Sequence, residues 1–347
     1  MLASLLAVAL LPPLASASAS AAAAGGGVRR SPDAIPGFIY ALSNNGSTNE
    51  WGFIAADLNS FEVEPRGGPI ADAEALGQAA LVVGATFFSM LLVRDPADPA
   101  KDAIVLAGFD TATGARVASF DTRTWPGAAG RGVFVEALFA SGASSMFVVG
   151  RNLGQPAQLL LDVDAVSGAA TLRGSVNCSG GDITWDADRE LLYETVTDGN
   201  DEDSGSLVIV NTTAAAPPGI VGSFALQDHF GFSLFDAQTD SIFGLVLKTG
   251  GPNGYLRDFV SLPAEGRSYN ATSRGDLGAL YVVLEDGPKA LDAATRRAFF
   301  MLASGPFAEF EIVAVDVDAT PVKILETPGL CGFIGYCPQA FAYGPAS

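Results

Sequence analysis

The sequence predicts an all-β fold built from repeated antiparallel hairpins. Hydrophobic residues make up 49% of the 347-residue chain, charged residues only 16%, and 40 residues are glycine. Apolar runs that are separated by glycine-containing turns, without long charged helix-favouring stretches, are typical of β-strands. A third observation is a hairpin pattern, clearest in residues 158–176, that recurs along the chain.

The hairpin at 158–176 reads QLLLDVDAVSGAATLRGSV. Residues 159–163 are almost wholly apolar, which predicts a strand that is buried on most of its surface. Asp164 begins a turn, because a short carboxylate can bond to the backbone just downstream, and Gly168 supplies the positive φ angle that the turn needs. Residues 170–176 then form the second, antiparallel strand.

Five other segments repeat this hairpin at steps of roughly fifty residues. The positions equivalent to Asp164 are Asp57, Asp110, Asn211, Pro263 and Asp318. Six hairpins at a nearly constant step predict a six-bladed β-propeller of four-stranded antiparallel blades. We expect one such domain over residues 36–347.

Each later repeat contains four predicted strands, whereas the first contains only three. The last segment, 339–347, matches the first strand of a repeat and supplies the missing strand. The C-terminal strand is therefore predicted to join the N-terminal blade, closing the ring and removing exposed sheet edges. In the fifth repeat we expect the fourth strand at 279–285, after an insertion at 267–278.

The turns between the first and second strands of three repeats carry an aspartate, in WDADRELLY, FDAQTDSIF and LDAATRRAFF. We expect Asp186, Asp236 and Asp292 to serve these turns. The blade pattern, in which a later strand ends in Asp-x-x-x-Gly, resembles that of the NHL, YVTN and TolB-like propellers over residues 37–347. The resemblance implies the architecture alone, because such propellers include binding scaffolds, cyclases, and lactonases and esterases with a channel calcium ion.

The chain is strongly acidic, with a formal net charge of −19 and a pI of about 4.2. Such a surface repels phosphate backbones and anionic membranes, so we expect no nucleic-acid partner and no membrane insertion. We expect a monomer. Its partner could be a protein, a glycan or a small molecule, and the composition does not decide between them.

The N-terminus is typical of a secreted protein. An apolar run at 2–14, followed by small residues up to Ala19, predicts a signal peptide at 1–19, and residues 20–35 read as a flexible leader. Secretion favours a disulfide between Cys331 and Cys337 and leaves Cys178 as a buried residue or a free thiol. The N-x-S/T sequons favoured for glycosylation are those of Asn45, Asn211 and Asn270.

In a propeller the innermost strand of each blade lines the central channel, and the loops that enter these strands form one mouth. The polar residues that this topology places at the mouth are Arg131, Glu136, Asp182, Asp228, His229, Lys289 and Gln339. We expect a ligand site there.

No catalytic signature stands out, since the chain lacks a phosphate-binding loop, a dinucleotide-binding fingerprint and a G-x-S-x-G motif. His229, the only histidine, is a candidate general base or metal ligand, or an ordinary loop residue, and a zinc site with several histidines is excluded. Glu136, Asp182 and Asp228 could supply oxygens to calcium. The leading hypothesis is a binding or interaction module, and the alternative is a calcium-dependent hydrolase of the lactonase or esterase type.

Overall fold

The computed structural model places its strands in six sheets. The residues that it describes are 37–45, 50–58, 60, 62–71, 73–95, 97–98, 101–178, 181–197, 205–226, 230–249, 255–264, 271–277, 280–281, 289–304, 309–321, 323–325 and 336–344. Within these residues, no helix is long and apolar enough to cross a membrane.

The described residues form twenty-five antiparallel strands, which make up the six sheets. The strands up to the end of the third blade are β1 (Phe38–Asn45), β2 (Glu50–Asp57), β3 (Val63–Ile70), β4 (Ala73–Val83), β5 (Thr86–Val93), β6 (Ala103–Asp110), β7 (Arg116–Asp121), β8 (Val133–Gly142), β9 (Ser145–Asn152), β10 (Gln158–Asp164) and β11 (Ala170–Val176). The remaining strands are β12 (Asp182–Asp186), β13 (Leu191–Thr197), β14 (Gly205–Asn211), β15 (Gly219–Leu226), β16 (Phe230–Asp236), β17 (Ser241–Thr249), β18 (Tyr255–Pro263), β19 (Thr272–Asp276), β20 (Leu280–Tyr281), β21 (Lys289–Asp292), β22 (Arg297–Ser304), β23 (Glu309–Asp316), β24 (Lys323–Leu325) and β25 (Tyr336–Gly344).

The sheets form a closed ring of six blades. The innermost strands β4, β8, β12, β16, β21 and β25 contact one another in that order, and β25 contacts β4 again. The C-terminal β25 pairs with β1, from Tyr336 opposite Asn45 to Gly344 opposite Phe38. The predicted six-bladed propeller and its closure by the last strand are therefore confirmed.

The core lies between the blades rather than within one of them. Side chains that alternate along a strand point to opposite faces of its sheet. Along β10, Leu159 and Leu161 accordingly pack with the second blade, whereas Leu160 packs with the fourth. Each of the six apolar clusters joins two neighbouring blades, so both faces of every blade are buried. This explains why the central strands read as continuous apolar runs.

The repeated aspartates serve turns, as the sequence predicts. Asp164 accepts hydrogen bonds from the backbone N–H groups of Val166 and Ser167 and from the Ser167 hydroxyl. Asp110 does the same for Thr113, and Asp186, Asp236 and Asp292 accept backbone N–H groups of their own turns.

In the sixth blade the predicted turn aspartate, Asp318, is wrong by two residues. The third strand ends at Asp316, which accepts the backbone N–H of Asp318. Asp318 instead contacts the Arg296 guanidinium. The error arose because Asp316 and Asp318 are both carboxylates in the same turn, and only the strand pairing separates them.

The expected end of the fifth blade is also wrong. Its fourth strand is β19, within the segment read as an insertion, where Asp276 pairs with Asp258. Leu280 and Tyr281 pair with β22 of the sixth blade, whose inner position is divided between β20 and β21. The apolar run at 279–285 does not form the fourth strand of the fifth blade, because its described residues pair with β22 over two positions only. The register of β19 is set by its pairing with β18.

Candidate functional site

A cavity of about 590 Å³ lies where the inner strands converge. Residues of β4, β8, β12, β16, β21 and β25 all line it, so each of the six blades contributes. Most of the wall is aliphatic or aromatic, and a small number of polar side chains interrupt it. Such a chamber has the size and the mixed lining that are usual for a small-molecule site.

Three residues that the sequence places at the channel mouth line this cavity, namely Glu136, Asp182 and Lys289. Arg131 is exposed in the loop before β8 and does not contribute to the lining. Gln339 lies within β25, while Asp228 and His229 fall outside the described residues.

Asp182 ties three consecutive blades together at the cavity wall. It is the first residue of β12 and is only 6% exposed. One carboxylate oxygen accepts the backbone N–H of Ser233 on β16, and the other forms an ion pair with the Lys289 ammonium on β21. A buried carboxylate needs partners of this kind, because leaving it unpaired in an apolar wall would be costly.

Lys289 is an unusual lysine because its ammonium nitrogen is shielded from solvent and forms an ion pair with the buried carboxylate of Asp182. Burial lowers the pKa of Lys289 well below its ordinary value, while the Asp182 carboxylate acts in the opposite direction. Desolvation is one of the ways in which a lysine amine is activated as a base or a nucleophile.

Ser233 reaches the cavity through an irregularity in β16. The pairing with β17 shifts between Gly231 and Leu234, so Phe232 and Ser233 form a bulge. Phe232 has a φ of 57°, which costs about 1–3 kcal/mol for a non-glycine residue. The bulge needs a glycine opposite, since a Cβ on Gly244 would lie 2.7 Å from the Gly231 carbonyl oxygen.

The strained backbone places a fully buried serine in the cavity wall. Ser233 is fully buried and lines the wall. Its Oγ has no hydrogen-bond partner among the described residues. The Phe232 ring fixes the bulge from the other side, since it packs edge-on against Phe300 with ring centroids 5.9 Å apart.

A second polar cluster lies at the junction of the third and fourth blades. The Glu136 carboxylate pairs with Arg151 and accepts a 3.0 Å hydrogen bond from the Gln158 side-chain amide. The same amide nitrogen lies 3.5 Å from the carboxylate of Glu194, which is fully buried. Burial, together with Glu194, raises the pKa of the Cys178 thiol to about 12, so this buried, free cysteine is a neutral thiol.

The described carboxylates do not fit a calcium ion. Glu136 and Asp182 already hold the cationic groups of Arg151 and Lys289, and a calcium ion would compete with both. No group of three or more His, Cys, Asp or Glu side chains in the described residues is arranged to hold a metal. Asp228, the third predicted ligand, lies outside those residues, as does the acidic loop that follows β13.

The predicted disulfide and the predicted glycosylation sites stay predictions. Cys331 and Asn270 lie outside the described residues, and nothing is described of the Cys337 and Asn45 side chains. Asn211 ends β14 half-buried, and its side-chain oxygen accepts the backbone N–H of Thr213.

Sequence reasoning missed Ser233, Arg151, Gln158 and Glu194. A signal was present, because Ser233, Gln158 and Glu194 each interrupt or begin an apolar run, in FGFSLF, QLLL and LLYETV. Polar residues in fully buried strands are uncommon unless they have a partner or a role.

No protein-family model and no curated protein sequence matches the chain. A chain in a crystal structure of a nidogen/laminin complex is similar in fold, with a TM-score of 0.50 and 12% identity over 88% of this chain and 97% of that chain. A putative TolB from Agrobacterium tumefaciens has a TM-score of 0.49, 10% identity and coverage of 84% and 89%. The β-propeller domain of the trilobed protease from Pyrococcus furiosus has a TM-score of 0.41, 11% identity and coverage of 73% and 72%.

At 12% identity the likeness to the nidogen/laminin structure concerns the fold alone. The number of blades and the closure of the ring come from this chain's own strand pairing. By its architecture, the chain is a six-bladed β-propeller with a lined cavity at its centre.

Proposed function

We propose that this chain is a secreted β-propeller that binds a small molecule in its central cavity. The observation that carries the proposal is the cavity of roughly 590 Å³, whose mostly apolar lining includes Ser233, Asp182 and Lys289. An apolar chamber with a few convergent polar groups is the usual form of a small-molecule site. A protein partner would more often use a larger surface than a cavity of this size offers.

The charges of the cavity favour a compact ligand that is neutral or zwitterionic. Its described charged residues form two pairs of opposite sign, Asp182 with Lys289 and Glu136 with Arg151. A simple anion or cation would have to displace a partner from one of these pairs at the cost of an unpaired buried charge. An apolar body with one polar end suits the walls better.

A binding experiment with a matched pair of variants tests this proposal. The secreted, mature chain would be screened by thermal shift and native mass spectrometry against amino acids, hexoses and short-chain esters. A ligand at about 100 times its Kd adds about 2.7 kcal/mol to stability, which is readily seen as a higher Tm. Lys289→Met should abolish the shift, whereas Arg131→Met, which also removes a cation but outside the cavity, should retain it.

Two results would contradict the proposal. One is a ligand response that is the same in wild type and Lys289→Met. The other is no response to any probe class or to small molecules of the native extracellular medium.

N-terminal sequencing of the secreted chain tests the predicted cleavage of the signal peptide. We expect the mature chain to begin at Ser20, after cleavage behind Ala19.

The alternative, a calcium-dependent hydrolase, has its own test. The chain would be dialysed against a chelator, and Tm and bound calcium would be measured before and after addition of calcium chloride. Because Glu136 and Asp182 already have cationic partners, we expect no change in Tm and no stoichiometric calcium. A Tm that falls on chelation and recovers with calcium would support the alternative.

A further inference from the structure

We propose that Ser233 and Lys289 form an acyl-transfer centre in the cavity, acting on small carboxylic esters with an apolar body. This proposal rests on the proposed function, because the ester must first bind in the cavity. It assigns to Ser233 the role of nucleophile and to Lys289 the role of base.

Ser233 has the features of a positioned nucleophile. It follows Phe232, an aromatic residue with a positive φ, in a bulge that interrupts the pairing of β16 with β17. Strained backbone of this kind is concentrated at sites where a side chain must be held in a direction that a regular strand would not give. Ser233 lines the cavity, and its buried hydroxyl has no hydrogen-bond partner among the described residues.

Lys289 and Ser233 both contact the carboxylate of Asp182. The two oxygens of Asp182 are occupied, one by the Ser233 backbone N–H and the other by the Lys289 ammonium, so a single side chain positions both reacting residues. The desolvated amine can lose its proton far more readily than an exposed lysine, which is how a lysine serves as the base for a serine.

Several groups line the cavity together with Lys289 and bear on its titration. They are Asp182 of β12, Glu136 and Arg151 of β8 and β9, and Tyr343 of β25, with Ser233 of β16 as the non-titrating neighbour. Glu136 is balanced by Arg151, and burial raises the pKa of Tyr343. Among the described lining residues, Asp182 is therefore the carboxylate that stabilises the protonated Lys289 amine and opposes its deprotonation.

The reaction balances without any co-reactant except water. The Ser233 oxygen attacks the ester carbonyl carbon while the Lys289 amine takes the hydroxyl proton. The tetrahedral intermediate collapses, the carbon–alkoxide bond breaks, and the departing alkoxide takes the proton from the lysine ammonium to leave as an alcohol. Water then attacks the acyl-serine with Lys289 as base, and the proton returns to the Ser233 oxygen as the carboxylic acid departs.

A covalent probe and a chromogenic ester test the centre in the mature chain. A fluorophosphonate should add one phosphonyl group, located at Ser233 by peptide mass spectrometry, and p-nitrophenyl butyrate should be hydrolysed. Ser233→Ala should abolish both. Ser43→Ala is the matched control, because Ser43 is equally buried with an unpartnered hydroxyl but does not line the cavity, and it should keep both.

Lys289 is tested by rate and by pH dependence. Lys289→Met and Lys289→Arg should each slow labelling by at least about 100-fold, the usual contribution of general base catalysis. The wild-type rate should rise with pH below the ordinary range of lysine, whereas the residual rate of Lys289→Met should not follow that rise. Circular dichroism and Tm would verify that each variant is folded.

The outcomes separate this proposal from the binding proposal. If wild type is not labelled, or if Ser233→Ala is labelled like wild type, the acyl-transfer centre is wrong. In that event, a ligand-induced Tm shift that is lost in Lys289→Met would still support the small-molecule binding proposal. If that shift is also absent, both proposals fail.

Discussion

Arg296 and Asp236 link the sixth blade to the fifth through a buried contact. Their guanidinium and carboxylate lie 2.5 Å apart, and the Asp236 side chain is only 1% exposed. Burial alone would raise the pKa of Asp236, but hydrogen bonds from Arg296 and Thr239 outweigh it and hold that pKa below its ordinary value. Asp236 thus stabilises its own turn and also links the fifth blade to the sixth.

Removal of Arg296 should be strongly destabilising. Arg296→Met leaves the Asp236 carboxylate buried with fewer partners, and breaking such a pair costs about 3–5 kcal/mol. Arg123→Met is a matched control, because it removes an arginine from an exposed pair with Asp121 and should cost at most about 1 kcal/mol. Urea denaturation at pH 7 measures both, and equal costs would contradict the role of the buried pair.

The contribution of Arg296 should depend on pH with a defined sign. The pKa of Asp236 is lower in the folded chain, so the stabilisation is complete above the ordinary aspartate value of about 4 and declines as pH falls towards the folded value. The stability difference between wild type and Arg296→Met should therefore shrink in acid. A difference that stays constant between pH 7 and pH 3 would show that packing, not charge, is responsible.

At the scale of the element, the β10–β11 turn tests how a neighbouring blade limits a hairpin. Gly168 has a φ of 71°, and a Cβ there would lie 2.2 Å from Cδ1 of Phe120 in the second blade. Gly154 has a similar φ of 82°, but a Cβ there would meet nothing within 4 Å. The two glycines separate backbone strain from steric overlap.

We expect Gly154→Ala to cost about 1 kcal/mol, the penalty of a left-handed backbone for a residue with a Cβ. Gly168→Ala should cost a further ~1–3 kcal/mol, because the Phe120 ring has to move within a packed contact. Chemical denaturation of both variants gives the comparison. Indistinguishable losses would mean that Phe120 yields freely and that only the turn geometry matters.

The sequence contains a local repeat that predicts the fourth strand of the fifth blade. Residues 170–174 read ATLRG and residues 271–275 read ATSRG, and both segments form outer strands whose register shifts at the arginine before the glycine. Arg173 and Arg274 also act alike, since each hydrogen-bonds to a threonine of the following blade, Thr212 and Thr320. The apolar run at 279–285 obscured this repeat, because hydrophobicity identifies a strand without saying which sheet it joins.

At the scale of the whole molecule, the repeat step and the missing strand of the first blade were sufficient to predict the architecture. Burial of both faces of each blade makes the pattern strong, since every central strand must be apolar throughout. The cavity chemistry was less accessible, because Ser233 reaches it only through a bulge that depends on Gly244 of the next strand. The Asp182–Ser233 and Asp182–Lys289 contacts join separate blades, and no local pattern reveals such partners.

Ring closure by β25 makes a prediction for the whole chain. This strand supplies the inner position of the first blade and places Phe341, which is 1% exposed, in the core between the first and sixth blades. A chain that ends at residue 335 exposes the edge of β1 and the contact face of β4, so it should melt at a lower temperature and aggregate through the free edge. Native mass spectrometry and Tm would measure both effects.

A synthetic peptide of residues 336–347 should restore the truncated chain. It can add to the exposed edge of β1 by strand addition, in the register that pairs Phe341 with Ala41. The same peptide with Phe341→Asp keeps the backbone donors and acceptors but introduces a charge into an apolar interface, so it should not restore Tm. Rescue by both peptides would show that backbone pairing alone closes the ring. Rescue by neither would show that closure requires a covalent connection to the sixth blade.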